Sequence, residues 1–155
     1  VCVVLFQMTA SKGSEKIENG AKYFARAALL VSCACILYSV THGMNALYAS
    51  AILIVASLVH VAGELLGSAG SWSIGFGLAD RSRQGEYQGV WSLGMGIGGT
   101  LGPAFVTHMV MGLGQRGWML LAVMFTVNGF LMHRNVTGSW RALGRLDTKT
   151  ELLNA

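Results

Sequence analysis

Charge is what this sequence has least of. Aspartate, glutamate, lysine and arginine make up 12% of its residues, against roughly a quarter in soluble domains. A chain solvated on every side is thereby excluded, because hydrophobic residues supply 53% and the mean hydropathy is +0.53. Proline occurs once, at Pro103, whereas glycine occurs 21 times. That bias excludes collagen and a flexible linker, and suits closely packed membrane helices. Cysteine is limited to Cys2, Cys33 and Cys35, all inside apolar stretches. Two positions two apart on a helix point about 200° apart, so no disulfide framework is implied, and the cysteines read as small apolar residues. The net charge of +4 does not point to nucleic acid, since the basic residues are scattered between apolar runs and form no polar face. There is no Walker loop, no Gly-Xaa-Ser-Xaa-Gly elbow and no Cys/His cluster. Nothing therefore points to an enzyme, a metal or another cofactor.

What is present is a series of long apolar runs, giving an all-α fold class: a polytopic transmembrane helix bundle. Residues 1–133 form the membrane region and 134–155 a polar cytoplasmic tail. The run Val1 to Met8 has no basic region before it and no cleavage site, so it is not a signal peptide. It is too short for a hydrocarbon core of about 30 Å and reads as the end of a truncated helix. Four full spans are predicted at about 23–40, 46–78, 90–111 and 118–132. The second is expected to protrude or bend near Gly67 to Ser73, and a turn at Gly112 to Gly117 separates the last two. Trp72, Trp91, Trp118 and Trp140 lie near the predicted boundaries, as an aromatic belt would have them. His42, His108 and His133 fall near span ends. In the tail, Trp140, Leu143 and Leu146 with Arg141 and Arg145 suit either a short interfacial helix or a solvated segment.

Lysine and arginine fix the orientation, because loops rich in them stay cytoplasmic. Lys12, Lys16, Lys22, Arg26, Arg81, Arg83, Arg134, Arg141, Arg145 and Lys149 fall on one side of the alternating topology, and only Arg116 on the other. The C-terminus is thus expected in the cytoplasm, in a multi-pass protein of the plasma (inner) membrane. The sequon at Asn135 to Thr137 lies on that same side and carries no weight as a glycosylation site.

Gly94, Gly98 and Gly102 recur every four residues in the third predicted span, with Pro103 immediately after. The absent side chains let a neighbouring backbone approach. The proline frees a carbonyl and favours a bend. Gly63 and Gly67 offer a similar contact on the preceding span.

The stretch Gly75 to Pro103, GFGLADRSRQGEYQGVWSLGMGIGGTLGP, resembles the major facilitator superfamily of transporters. There the tenth and eleventh helices are joined by a cytoplasmic loop with an acidic residue, an Arg-Gly step and a second glycine four residues on; a glycine series ending in Gly-Pro follows. Asp80, Gly85, Gly89, Gly94, Gly98, Gly102 and Pro103 stand at matching positions, and Arg81 and Arg83 belong to the same loop. Gln84 departs from the pattern, where an arginine is usual, and the usual loop proline is missing. GELLGSAGSW looks like the cytoplasmic half of the tenth helix in bacterial drug-efflux members, whereas SKGSEKIENGAK lacks the Asp-Arg motif often found between the eighth and ninth. The resemblance implies about helices eight to twelve, the C-terminal part of such a transporter. The same block also fits helices two to six of the N-terminal half, since the superfamily is built from repeats. The chain's end soon after the fourth full span favours the C-terminal half.

Charges inside spans are costly, and Glu64 is the sole carboxylate deep in an apolar run. Ser50, Ser57, His60, Glu64, Gly67 and Ser71 share a stripe of roughly 100° on a helical wheel, and His60 precedes Glu64 by four residues, within contact range. Glu64 and His60 are the candidates for proton coupling or substrate contact, set against a structural reading in which Glu64 only fixes helix packing. The function implied is secondary transport, proton-coupled export of small organic molecules. Its expected partners are the lipid bilayer, the substrate, protons and the missing N-terminal half. The alternative is a small non-transporting four-helix membrane protein that acts as a packing or assembly partner.

Overall fold

The computed structural model describes residues 17–77, 79 and 82–154, with side chains placed from residue 19 to 141 within those ranges. The predicted helix end at Val1 to Met8, most of the following loop, Cys2, and Asp80 and Arg81 lie outside the described residues. Among the described residues there are four helices and no strand: α1 (Ile17–Val40), α2 (Ala46–Gly77), α3 (Gln84–Leu113) and α4 (Gln115–Asn154).

Two of them are long and apolar enough to cross a membrane, α1 from Asn19 to Val40 and α2 over its full length. The core helix of a soluble protein passes the same length and composition test, but is mostly buried; only 11% of α2's apolar window is. The other two fall short for reasons visible in their sequences. Glycines dilute the apolar run of α3, and the apolar part of α4, Trp118 to Met132, is followed by the polar stretch that begins at His133.

The helices extend beyond the predicted spans in three places. α1 begins at Ile17, so the end of the predicted loop is its first turn. α3 begins at Gln84 because its polar first turn, led by Glu86, suits the positive end of the helix dipole. α4 continues as one helix through the segment expected as a polar tail, to Asn154. α2 stays helical from Gly67 to Ser73, and α3 runs on through Pro103.

Turn chemistry explains where the helices stop. Thr41 Oγ1 donates to the Tyr38 carbonyl at 2.8 Å as α1 ends. Asn45 then caps α2, its Oδ1 accepting the amides of Leu47 and Tyr48 at 3.1 and 3.2 Å. Between α3 and α4 the chain reverses on Gly114, whose φ of 55° disfavours any residue with a Cβ. Its amide closes α3 on the Val110 carbonyl at 2.8 Å.

α1 is the hub, packed along its length against α2 on one side and α4 on the other. The cause is a pair of adjacent seams of small residues, each repeating every seven positions: Gly20, Ala27 and Ala34 toward α2, and Ala21, Ala28 and Cys35 toward α4. Gly70 and Gly63 meet the first seam in antiparallel order. A Cβ built on Gly70 would lie 2.8 Å from the Gly20 carbonyl oxygen, and one on Gly63 would lie 3.2 Å from that of Ala27. The same register sets Ala34 opposite Ala56, and neither has exposed surface. Val136, Gly129 and Ala122 meet the second seam: Val136 clusters with Ala21, Gly129 abuts Ala28, and Ala122 packs with Cys35. Hydrogen bonds pin this second interface, as Ser32 Oγ donates to the Ala122 carbonyl and meets Thr126 Oγ1, both at 2.8 Å. Ser39 Oγ donates to the Gln115 carbonyl at 3.3 Å.

α3 stands apart. It touches α4 beside the Gly114 turn and α2 near Trp91, and none of its residues is buried. The neighbour expected for Gly94, Gly98 and Gly102 is not supplied by the described helices, for a Cβ on any of them would meet nothing within 4 Å. Of the two described cysteines, Cys33 is exposed and Cys35 is buried.

Candidate functional site

His60 and Glu64 lie near the middle of α2, where the helix presents its small heptad to α1 and its polar stripe beside it. One helical turn separates the two residues, so the imidazole Nε2 comes within 3.4 Å of Glu64 Oε1. Their surroundings differ. The Glu64 side chain is 65% exposed and that of His60 35%. Glu64 thus opens away from the α1 interface while the histidine leans into it.

The far edge of the imidazole is the unusual feature. His60 Nδ1 is buried and has no hydrogen-bond partner among the described residues. Beside it the Tyr38 ring of α1 lies with its centroid 6.2 Å from that of His60, and tilts against Trp118 of α4 at 4.8 Å. Ser57, one turn before His60, donates to the Leu53 carbonyl at 2.8 Å and lies 3.4 Å from the Tyr38 hydroxyl. The carboxylate and imidazole thus stand beside Tyr38, where α1, α2 and α4 meet, with no hydrogen bond carrying on from the imidazole among the described residues. The pair brings an imidazole nitrogen and a carboxylate oxygen, two types of group that can hold a proton, within reach of each other on one face of α2.

The stripe read from the helical wheel is present as a surface, with Ser50, Ser57 and Glu64 exposed and Gly67 and Ser71 half-buried. Gly63 and Gly67 divide differently from it. Gly63 is buried under Val31, Leu30 and Ala27, and Gly67 lies 3.4 Å from the Ala27 side chain at the seam's edge.

The loop motif is a second locality. Arg83 precedes α3, and its Nη2 donates to Glu86 Oε2 at 2.5 Å, both side chains about two-thirds exposed at 64% and 66%. Gly85 and Gly89 have open space around them. Beside the ion pair lies a cleft of about 670 Å³ between α2, α3 and α4, whose walls come from three helices and so leave no signal in any one segment. Its apolar wall comes from Ile74, Val90, Trp91, Met95 and Met132, and the Trp91 ring lies across Gly75.

Among the described residues no group of histidine, cysteine, aspartate and glutamate is placed to hold a metal ion. The chain matches no family model, no curated protein and no solved structure.

Proposed function

We propose that this chain is part of a proton-coupled secondary transporter of the major facilitator kind, exporting small organic molecules, with all four helices inserted in the plasma (inner) membrane. The observation that carries the reading is the His60–Glu64 pair at mid-helix, open on the carboxylate side and bordered by the polar face of α2. In lipid an ionisable pair at that depth faces protein or a water-filled path. Transporters of this architecture place their sites near the midplane between helix bundles. The open space around Gly98 and Gly102 of α3, which do not line the cleft, supports a further helix packed there, with the sequence resemblance at Gly75 to Pro103 as the second support.

The test is drug-cation transport in everted vesicles carrying the complete reading frame that contains these residues. Glu64→Gln keeps size and hydrogen bonding but does not titrate. It should accumulate normally and lose the response to an imposed proton gradient. Full gradient-sensitive transport by Glu64→Gln at wild-type protein levels would sink the coupling role.

One observation favours the alternative, a small non-transporting packing or assembly partner: α1, α2 and α4 form a tightly seamed trio without any further helix. Co-purification of the chain with one stoichiometric membrane partner, and no gradient-driven flux in the complete reading frame, would establish that reading instead.

A further inference from the structure

We infer that the cleft beside Arg83 holds one acyl chain of a phospholipid whose phosphate is bound by the Arg83 guanidinium. This rests on the membrane reading above, in which Arg83 lies at the cytoplasmic boundary of the bilayer.

Three properties of the cleft select this occupant. Its wall is apolar along Ile74, Val90, Met95 and Met132, with polarity concentrated at one end in Arg83, Glu86 and Tyr87. A ligand that fits is therefore apolar over most of its length and charged at one tip. Length is the second property. From Arg83 to Met95 the rise is about 18 Å at roughly 1.5 Å per residue, close to the ~15 Å of hydrocarbon in one leaflet of a core ~30 Å thick. A lipid with its headgroup at Arg83 thus ends its chain where the cleft ends. The third is the disposition of the guanidinium. Glu86 engages Nη2, which holds the group at the mouth, while a guanidinium carries five N–H donors and the side chain is 64% exposed. The remaining donors suit the phosphodiester oxygens of a lipid, with Glu86 as the positioning residue.

Trp91 lines the cleft and reports its contents. The experiment uses the full chain with Trp72, Trp118 and Trp140 changed to Phe, purified in a maltoside detergent that carries no phosphate. Brominated phosphatidylcholine and brominated diacylglycerol are titrated in separately and indole quenching is followed. The phospholipid should quench saturably at a low mole ratio, and the diacylglycerol, which has the chains without the phosphate, only at much higher ratios. Arg83→Gln should raise the phospholipid midpoint about tenfold, the equivalent of one charge-assisted hydrogen bond. Gly94→Leu, which projects a side chain into the cleft from an open position, should lower the quenching amplitude for both lipids. Equal midpoints for the two lipids, or an Arg83→Gln midpoint equal to wild type, would overturn the proposal. So would relief of quenching by a lipophilic cation at lower concentration than by unbrominated phospholipid, which would make the cleft a cargo site. In bilayers of brominated lipid, absence of quenching at all four tryptophans of the unmodified chain would overturn the membrane reading itself. Quenching there, combined with no preference at Trp91 in detergent, overturns the cleft assignment alone.

Discussion

His60 is held between unlike surroundings, with Nε2 facing an exposed carboxylate and Nδ1 enclosed without a partner among the described residues. An enclosed polar atom left unpaired costs free energy of about 1–3 kcal/mol. Replacing the imidazole by a ring that lacks it is therefore expected to stabilise. His60→Phe keeps the ring contact with Tyr38 and should unfold at an equal or higher temperature than wild type, while abolishing the response of transport to the proton gradient. A lower melting temperature with gradient response intact would assign His60 to packing. Ser32 is the counter-example, since its hydroxyl joins α1 to α4 through Ala122 and Thr126. Ser32→Ala should lower stability by about 0.6 kcal/mol, the average measured for hydrogen bonds between membrane helices, without altering the pH response. Both hydrogen bonds are measurable by detergent-titration unfolding against Thr126→Val as a cross-check. The histidine–glutamate spacing was legible in the sequence because four residues return a helix to the same face. The enclosure of Nδ1 was not, since it depends on how closely α1 approaches.

At the scale of helices, that approach is set by residues with little or no side chain. Gly70 faces the Gly20 carbonyl oxygen and the Phe24 amide, both 2.8 Å from where a Cβ would sit. Gly70→Leu forces two backbones apart and should cost at least the ~1–3 kcal/mol typical of overpacking. Gly98→Leu on α3 should be nearly silent in the isolated chain, because open space surrounds it. If a further helix covers α3 in the complete transporter, the same Gly98→Leu should become disruptive there, so one variant measured in both contexts reads the covering helix directly. The sequence made the α3 glycines conspicuous, since spacing of four and a following proline stand out. It hid the α1 seams, whose small residues are one glycine, four alanines and a cysteine spread over two adjacent heptads. Which small stripe finds a partner depends on tertiary pairing, and spacing alone does not encode that. The helices outrun the predicted spans for a related reason. A hydropathy reading ends a helix where polarity rises, but α4 continues past His133, where Val136 packs on Ala21 and Ile74, and better helix formers such as Arg141, Ala142 and Leu143 follow.

For the molecule as a whole the open question is which end faces the cytoplasm, and the packing sharpens the charge argument. α1 runs antiparallel to both α2 and α4, so the turn through Gly43 and the turn through Gly114 lie at one end, joined by Ser39 to Gln115. Arg116 is the basic residue among the described residues of that end. At the other end Ala21, Ile74 and Val136 cluster together, bringing Lys22 at the start of α1 to the same level as Arg134 on α4, with Arg83 following α2. In the proposed membrane setting a bilayer separates these ends, and the positive-inside bias acts on loops and termini close to the membrane, where these charges would lie. A reporter inserted at Gly114 should therefore read external and one fused after Ala155 cytoplasmic. Arg116→Glu should leave both readings unchanged, since Asp and Glu contribute little to the bias and a single charge is outvoted. Adding three or four lysines to the Gly43 turn should create a second, inverted population, because that loop is short and has no compensating basic residues. A cytoplasmic reading at Gly114 in the unmodified chain would reverse every side assigned to α1 through α4, and would move Arg83 and its cleft to the outer leaflet.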